Sequence, residues 1–163
     1  MARAGAAALV VLALAAGAIG CGGDEGAAAG ATVTVYVSTP MRGPEAAAGH
    51  RLCNRSRRQL DRREGMAGDL KVRLVCLDAG GPDGRWTLAR VGANARLASE
   101  DSTTVAYIGE PDRGARRQSR PIVEAGGIAE VNGDRTSMLQ ILEAIEAGDT
   151  SQPRQAVFDA FAG

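Results

Sequence analysis

The chain has 163 residues, 45% of them hydrophobic but only 3% aromatic, which is enough for the core of one domain built from Val, Leu, Ile and Ala. Lys plus Arg and Asp plus Glu number 19 each, so there is no global basic field of the kind that holds a nucleic-acid backbone. Nucleic acid is therefore excluded as the expected partner.

Met1 to Gly20 carries Arg3 near its start and then an apolar run from Ala6 to Ile19. The run is Ala-rich, short for a bilayer and closed by small residues, so it reads as a secretion signal rather than a spanning helix. Its end, Ala18-Ile19-Gly20-Cys21, resembles a bacterial lipobox, although leucine is more usual where Ala18 stands. That resemblance implies cleavage before Cys21 and a lipid on that cysteine; the alternative is ordinary signal cleavage with Cys21 as a bystander. Residues 1–21 are assigned to the signal, and 22–31, GGDEGAAAGA, to a flexible linker, since they show no periodicity. The expected location is the cell envelope, on the extracytoplasmic face of the membrane.

The folded part starts at Thr32. Val33, Val35 and Val37 alternate with polar neighbours, which predicts a first strand. Thr39-Pro40-Met41-Arg42-Gly43-Pro44 then turns the chain into a helix reaching about Glu64, with Pro44 suited to its first turn. Its apolar positions are Ala48, Leu52 and Leu60, and its outer face holds Arg51, Arg55, Arg57, Arg58, Arg62 and Arg63. Such a face can bind acidic headgroups, but Lys71 is the only lysine of the chain, and a solvated face in an arginine-rich composition is the expectation. A second strand covers Lys71 to Asp78. The following turn, residues 79–84, lacks calcium-loop spacing because Gly80 and Pro82 stand where ligands would be.

A helix from about Trp86 to Ser99 is expected to bury Leu88, Val91, Ala95 and Ala98, with Trp86 as a core or turn anchor. Thr104 to Val131 reads as a βαβ unit. Val105, Tyr107 and Ile108 form an apolar strand that stops at Gly109, and Gly114 to Ala125 form a helix with Ile122, Val123 and Ala125 inside and Arg116, Arg117 and Arg120 outside. Gly126 and Gly127 end that helix. Ser137 caps a helix to Ala147 whose Met138, Ile141, Leu142 and Ile145 share one face, with Gly148 as its stop; Ser151 and Pro153 open a last one carrying Val157, Ala160 and Phe161. Parallel strands joined by helices predict an α/β fold with an open sheet covered on both faces.

The strand, STPMRGPEAAAG, helix, KVRLVCLDAGGPDG, helix, VAYIGEPDRGA, helix and EAGGIAEV follow in the order found in the Leu/Ile/Val-binding, branched-chain amino-acid type family of type I periplasmic solute-binding proteins, and the chain resembles that family over roughly Val33 to Val131. The resemblance implies one lobe with about four parallel strands in the order 2-1-3-4, helices on both faces and a ligand cleft at the strand ends. It also implies a small solute such as an amino acid, and an ABC importer permease as partner. Residues 32–131 are assigned to this first-lobe domain. Residues 132–163 resemble the C-terminal segment with which such receptors return to the first lobe, and an internal deletion near Asn132 to Arg135 would have removed the second.

Carried over position by position, the ligand-facing residues are Met41, Arg42, Arg113, Gly114 and Asn132. The family's serine hydroxyl is replaced by Arg113-Gly114, and its aromatic before Gly49 by Ala48, so impaired capture is expected. Backbone N–H groups at Arg113 to Ala115 offer an anion site at a helix start. Loss of a second lobe also predicts self-association through the uncovered cleft side. No cofactor and no metal is expected, nor catalysis, because His50 is the only histidine and Ser38, Ser119 and Cys53 lack a base with an orienting partner. Cys53 and Cys76 are candidates for a disulfide, but one lies on a helix and the other in a strand; two buried free thiols are the expectation.

Overall fold

The computed structural model describes residues 30–133 and 135–161. The signal, Cys21 and most of the linker lie outside the described residues. Five strands form one sheet: β1 (Thr32–Thr39), β2 (Met66–Ala67), β3 (Leu70–Asp78), β4 (Thr104–Gly109) and β5 (Ala129–Asn132). They are ordered β2-β3-β1-β4-β5. Four of them run parallel in the order that the family resemblance implies, and β2 adds a two-residue antiparallel edge beside β3. The helices are α1 (Ala46–Asp61), α2 (Leu88–Glu100), α3 (Arg113–Ala125), α4 (Met138–Ala147) and α5 (Pro153–Phe161).

Alternation along β1 decides which helix meets which face. Val33, Val35 and Val37 join Leu52 and Leu60 of α1, four residues of α4 and Val157 of α5 in the larger core cluster. Tyr36 points to the other face, where Tyr107, Ala95, Ala98, Val123 and Ile128 pack under α2 and α3. Trp86 closes a third, smaller cluster with Ala79, Val91 and Ala115. Helix α4 is the most sharply specified element. Its Met138, Ile141, Leu142 and Ile145 are fully buried, each contributing about 2 kcal/mol of transfer free energy, and Ser137 and Gln140 form a reciprocal capping box at its start. Gly127, at φ +67, supplies the left-handed turn after α3.

Several expected core positions are solvent-exposed instead. Leu88 is 60% exposed, at the first position of α2 directly after its cap Thr87. Ala48, Ala125 and Ala160 also face water; each is small enough that losing its burial costs little. Helix α1 ends at Asp61, short of Glu64, because Glu64 and Gly65 take positive φ. The expectation of free thiols is overturned. Cys53 on α1 and Cys76 on β3 are joined in a disulfide, their Cα atoms 6.2 Å apart, since α1 packs back over β3 and brings them within bridging range.

Candidate functional site

Helix α1 carries the chain from β1 outward to β3, and α2 returns it across β1 to β4. Ligand crevices in open α/β sheets lie outside the carboxyl ends of the strands at such a reversal. The corresponding rim here runs from Ser38 and Thr39 of β1 to Gly109 and Glu110 after β4.

Three of the carried-over residues are tied into the rim by the chain's own carboxylates. Asp78 accepts from the N–H of Met41 at 2.9 Å, from the N–H of Gly80 at 2.8 Å and from Arg42 Nε, which clamps the turn after β1 to the turn after β3. Partial burial pushes the Asp78 carboxyl up, but these donors outweigh it and hold it below its usual range. Asp112 caps α3, accepting from the N–H groups of Gly114 at 2.6 Å and Ala115 at 3.0 Å. The N–H groups read as an anion site are thus already engaged by a side chain. Arg113 is exposed at the start of α3, and Asn132 closes β5.

Beneath this rim lies a polar network that sequence reasoning did not assign. Glu110 is fully buried. Its Oε1 accepts from the Ser38 hydroxyl and, at 3.4 Å, from the Tyr107 hydroxyl, while Asn94 Nδ2 donates to Ser38 Oγ at 2.9 Å. Glu130, on β5, accepts from the Ser119 hydroxyl at 2.9 Å. Gly109 has no side chain because Glu130 occupies that space: a Cβ there would lie 2.0 Å from Glu130 Oε1. The second oxygens of both glutamates, and the Thr39 hydroxyl, are shielded and unpartnered.

Desolvation dominates the chemistry of the pair. It raises Glu110 to about 7 against the pull of the Ser38 and Tyr107 hydroxyls, with Asp112 adding repulsion. Glu130 is likewise raised to about 7 by burial; Ser119, Arg116 and Arg120 favour its ionised form and the charge of Glu110 opposes it. The Tyr107 hydroxyl is pushed far up by the same burial and by Glu110. A protonated carboxyl suits the enclosed, donor-poor positions of the two Oε2 atoms. Ser38 and Ser119 are fully buried, so neither hydroxyl reaches a substrate from outside. The local signals for this network were a Glu directly after the apolar strand end YIG and a second inside the apolar run IAEV.

Among the described residues no cluster of three or more His, Cys, Asp or Glu side chains is poised for a metal, and no helix is long and apolar enough to cross a membrane. No family model matches the sequence, and no curated protein matches it. Solved structures do match. A leucine-binding protein from Thermotoga maritima is 23% identical, with a TM-score of 0.51, over 61% of this chain and 27% of its own. A solute-binding protein of an ABC transporter from R. palustris, solved with 4-hydroxybenzoate, is 17% identical with a TM-score of 0.51 over 62% of this chain and 26% of its own. A possible leucine/isoleucine/valine-binding protein from Rhodopirellula baltica gives 17% identity and a TM-score of 0.50 over 63% of this chain. The fold is that of one lobe of a type I periplasmic binding protein. The chain spans about a quarter of the length of the structures it matches.

Proposed function

We propose that the chain is an extracytoplasmic solute-binding-type lobe, lipid-anchored through Cys21 and tethered by residues 22–31. In this reading the rim residues Met41, Arg42, Arg113, Gly114 and Asn132 face a small solute such as an amino acid, and the partner is an ABC permease. The observation that carries the reading is the fold itself, with those residues on the carboxyl ends of β1, β4 and β5, where open α/β sheets take ligands. The Cys53–Cys76 disulfide supports an oxidising compartment. The protein is not an enzyme in this reading. Residues 32–131 form the lobe and 132–163 return to it, with a second lobe lost by internal deletion near Asn132 to Arg135.

Capture by this lobe is weak. The donors best placed to take a carboxylate are held by Asp78 and Asp112, and a solute on this rim alone stays open to water on one side. The same self-occupied rim favours a second reading, a protein-interaction module without a solute, and its uncovered side supports self-association. A thermal melt of residues 31–163 with pooled amino acids, amides and small carboxylates separates the two. An upward shift supports the receptor lobe, because ligand bound only to the native state adds stability by mass action. A cooperative melt that no solute moves counts against it and favours the interaction module.

A further inference from the structure

Helix α3 presents a groove of about 250 Å³ lined by four arginines, Arg113, Arg116, Arg117 and Arg120. Their spacing of three, one and three residues keeps them on one side of the helix, and seven residues at 1.5 Å each spread the guanidiniums over about 10 Å. Four like charges so arranged repel one another unless something neutralises them.

The chain neutralises that charge only in part. Glu124 pairs with Arg120 at 2.6 Å, but among the described residues no ion pair engages Arg113, Arg116 or Arg117. Asp112 is committed to capping the helix; buried Glu130 takes its hydrogen bond from Ser119 and attracts Arg116 and Arg120 without an ion-pair contact to either. Arg116 is half-buried, and its Nε is shielded from water without an acceptor. A shielded guanidinium donor left without a partner is costly, and an oxyanion seated in the groove would supply the acceptor that the chain does not place on it.

We propose that the α3 groove binds a ligand carrying two or more phosphate groups. Each guanidinium offers parallel N–H donors matched to a phosphate's oxygens, and a row of them suits several phosphates side by side better than one carboxylate. That chemistry comes from two sources, a soluble oligophosphate or the headgroups of an anionic phospholipid. The groove shares Arg113 with the strand-end rim, but Arg116, Arg117 and Arg120 lie further along α3, and the variants below leave Arg113 in place, so loss of phosphate binding and loss of solute capture remain distinguishable.

Trp86, the only tryptophan, reports on the site: its ring edge lies 3.2 Å from where a Cβ on Gly114 would be, beside Arg113. The full-length chain is titrated with sodium tripolyphosphate while Trp86 fluorescence is followed, with sodium sulfate at matched ionic strength as control. In a second arm it is mixed with phosphatidylglycerol or phosphatidylcholine vesicles and floated. The expected result is saturable binding of tripolyphosphate that is about tenfold or more weaker in Arg116→Gln/Arg117→Gln, and within about twofold of wild type in Arg57→Gln/Arg62→Gln, whose exposed arginines lie outside the groove. No response to tripolyphosphate, but a preference for phosphatidylglycerol that Arg116→Gln/Arg117→Gln abolishes, assigns the groove to headgroups. Binding to neither, or equal weakening by both variant pairs, overturns the proposal. Circular dichroism of each variant confirms that a loss of binding is not a loss of fold.

Discussion

Replacing Glu110 with glutamine tests the buried carboxyl network through the pH dependence of stability. In the unfolded chain a glutamate titrates near 4.5, whereas the buried Glu110 holds its proton to about 7. Because the folded value lies above the unfolded one, the native state binds more protons between these limits. The stability this confers is present in full below about pH 4.5 and is lost as pH rises to about 7. At about 1.4 kcal/mol per pH unit, Glu110 alone accounts for a loss of about 3 kcal/mol, and Glu130 adds a change of the same sign. Asp78, Asp101 and Glu146 are all held below their usual ranges, so their contributions are lost only as pH falls below the carboxylate range and leave the window from pH 5 to 8 clear.

The assay is urea unfolding at pH 5, 6, 7 and 8. Wild type is expected to weaken from pH 5 to 7 and then to level off towards pH 8, and Glu110→Gln to weaken by about half as much, since glutamine keeps an acceptor for Ser38 but carries no ionisable group. Glu110→Gln/Glu130→Gln is expected to be level. Wild-type stability that holds or rises from pH 5 to 8, or a double variant that falls as steeply as wild type, would refute the reasoning.

Removing the disulfide as Cys53→Ser/Cys76→Ser frees a link across a sequence separation of 23 residues. The expected cost is about 3 kcal/mol, read as a lower urea midpoint, with wild type in reductant showing the same change. Gly49→Ala places a Cβ 1.9 Å from the carbonyl oxygen of Pro40, so α1 and the turn carrying Met41 and Arg42 have to separate. A loss of about 1–3 kcal/mol is expected in urea unfolding, against no measurable loss for Ala47→Ser on the exposed side of the same turn.

The sequence displays most of the framework because its strands and helices carry their own periodicity. Val33, Val35 and Val37 alternate as a half-buried strand does, and Met138, Ile141, Leu142 and Ile145 repeat at helical spacing behind a Ser cap. Strand β2 has two residues and so no period to read. Leu88 has the helical spacing of a core residue, but at the first position of α2 it is exposed, which spacing alone does not reveal. The Cys53–Cys76 link depends on how α1 lies over β3, a distance that no local pattern encodes. Glu110 and Glu130 escaped notice because charges are ordinarily solvated, and only tertiary packing enclosed these two beside Ser38 and Ser119. The rim positions came from the family resemblance, and the engagement of Met41, Arg42 and Gly114 by Asp78 and Asp112 has no local signature in the sequence.

In the proposed reading the strand-end rim meets small solutes, though weakly. Amide resonances of isotope-labelled residues 31–163 would test it most directly, followed during titration with the amino-acid, amide and carboxylate set. Shifts confined to residues 40–42, 110–115 and 132–133, half-complete only at roughly millimolar solute, are the expected result for a ligand held on one side and open to water on the other. Unchanged rim amides at saturating solute, or shifts centred on another part of the molecule, would contradict it.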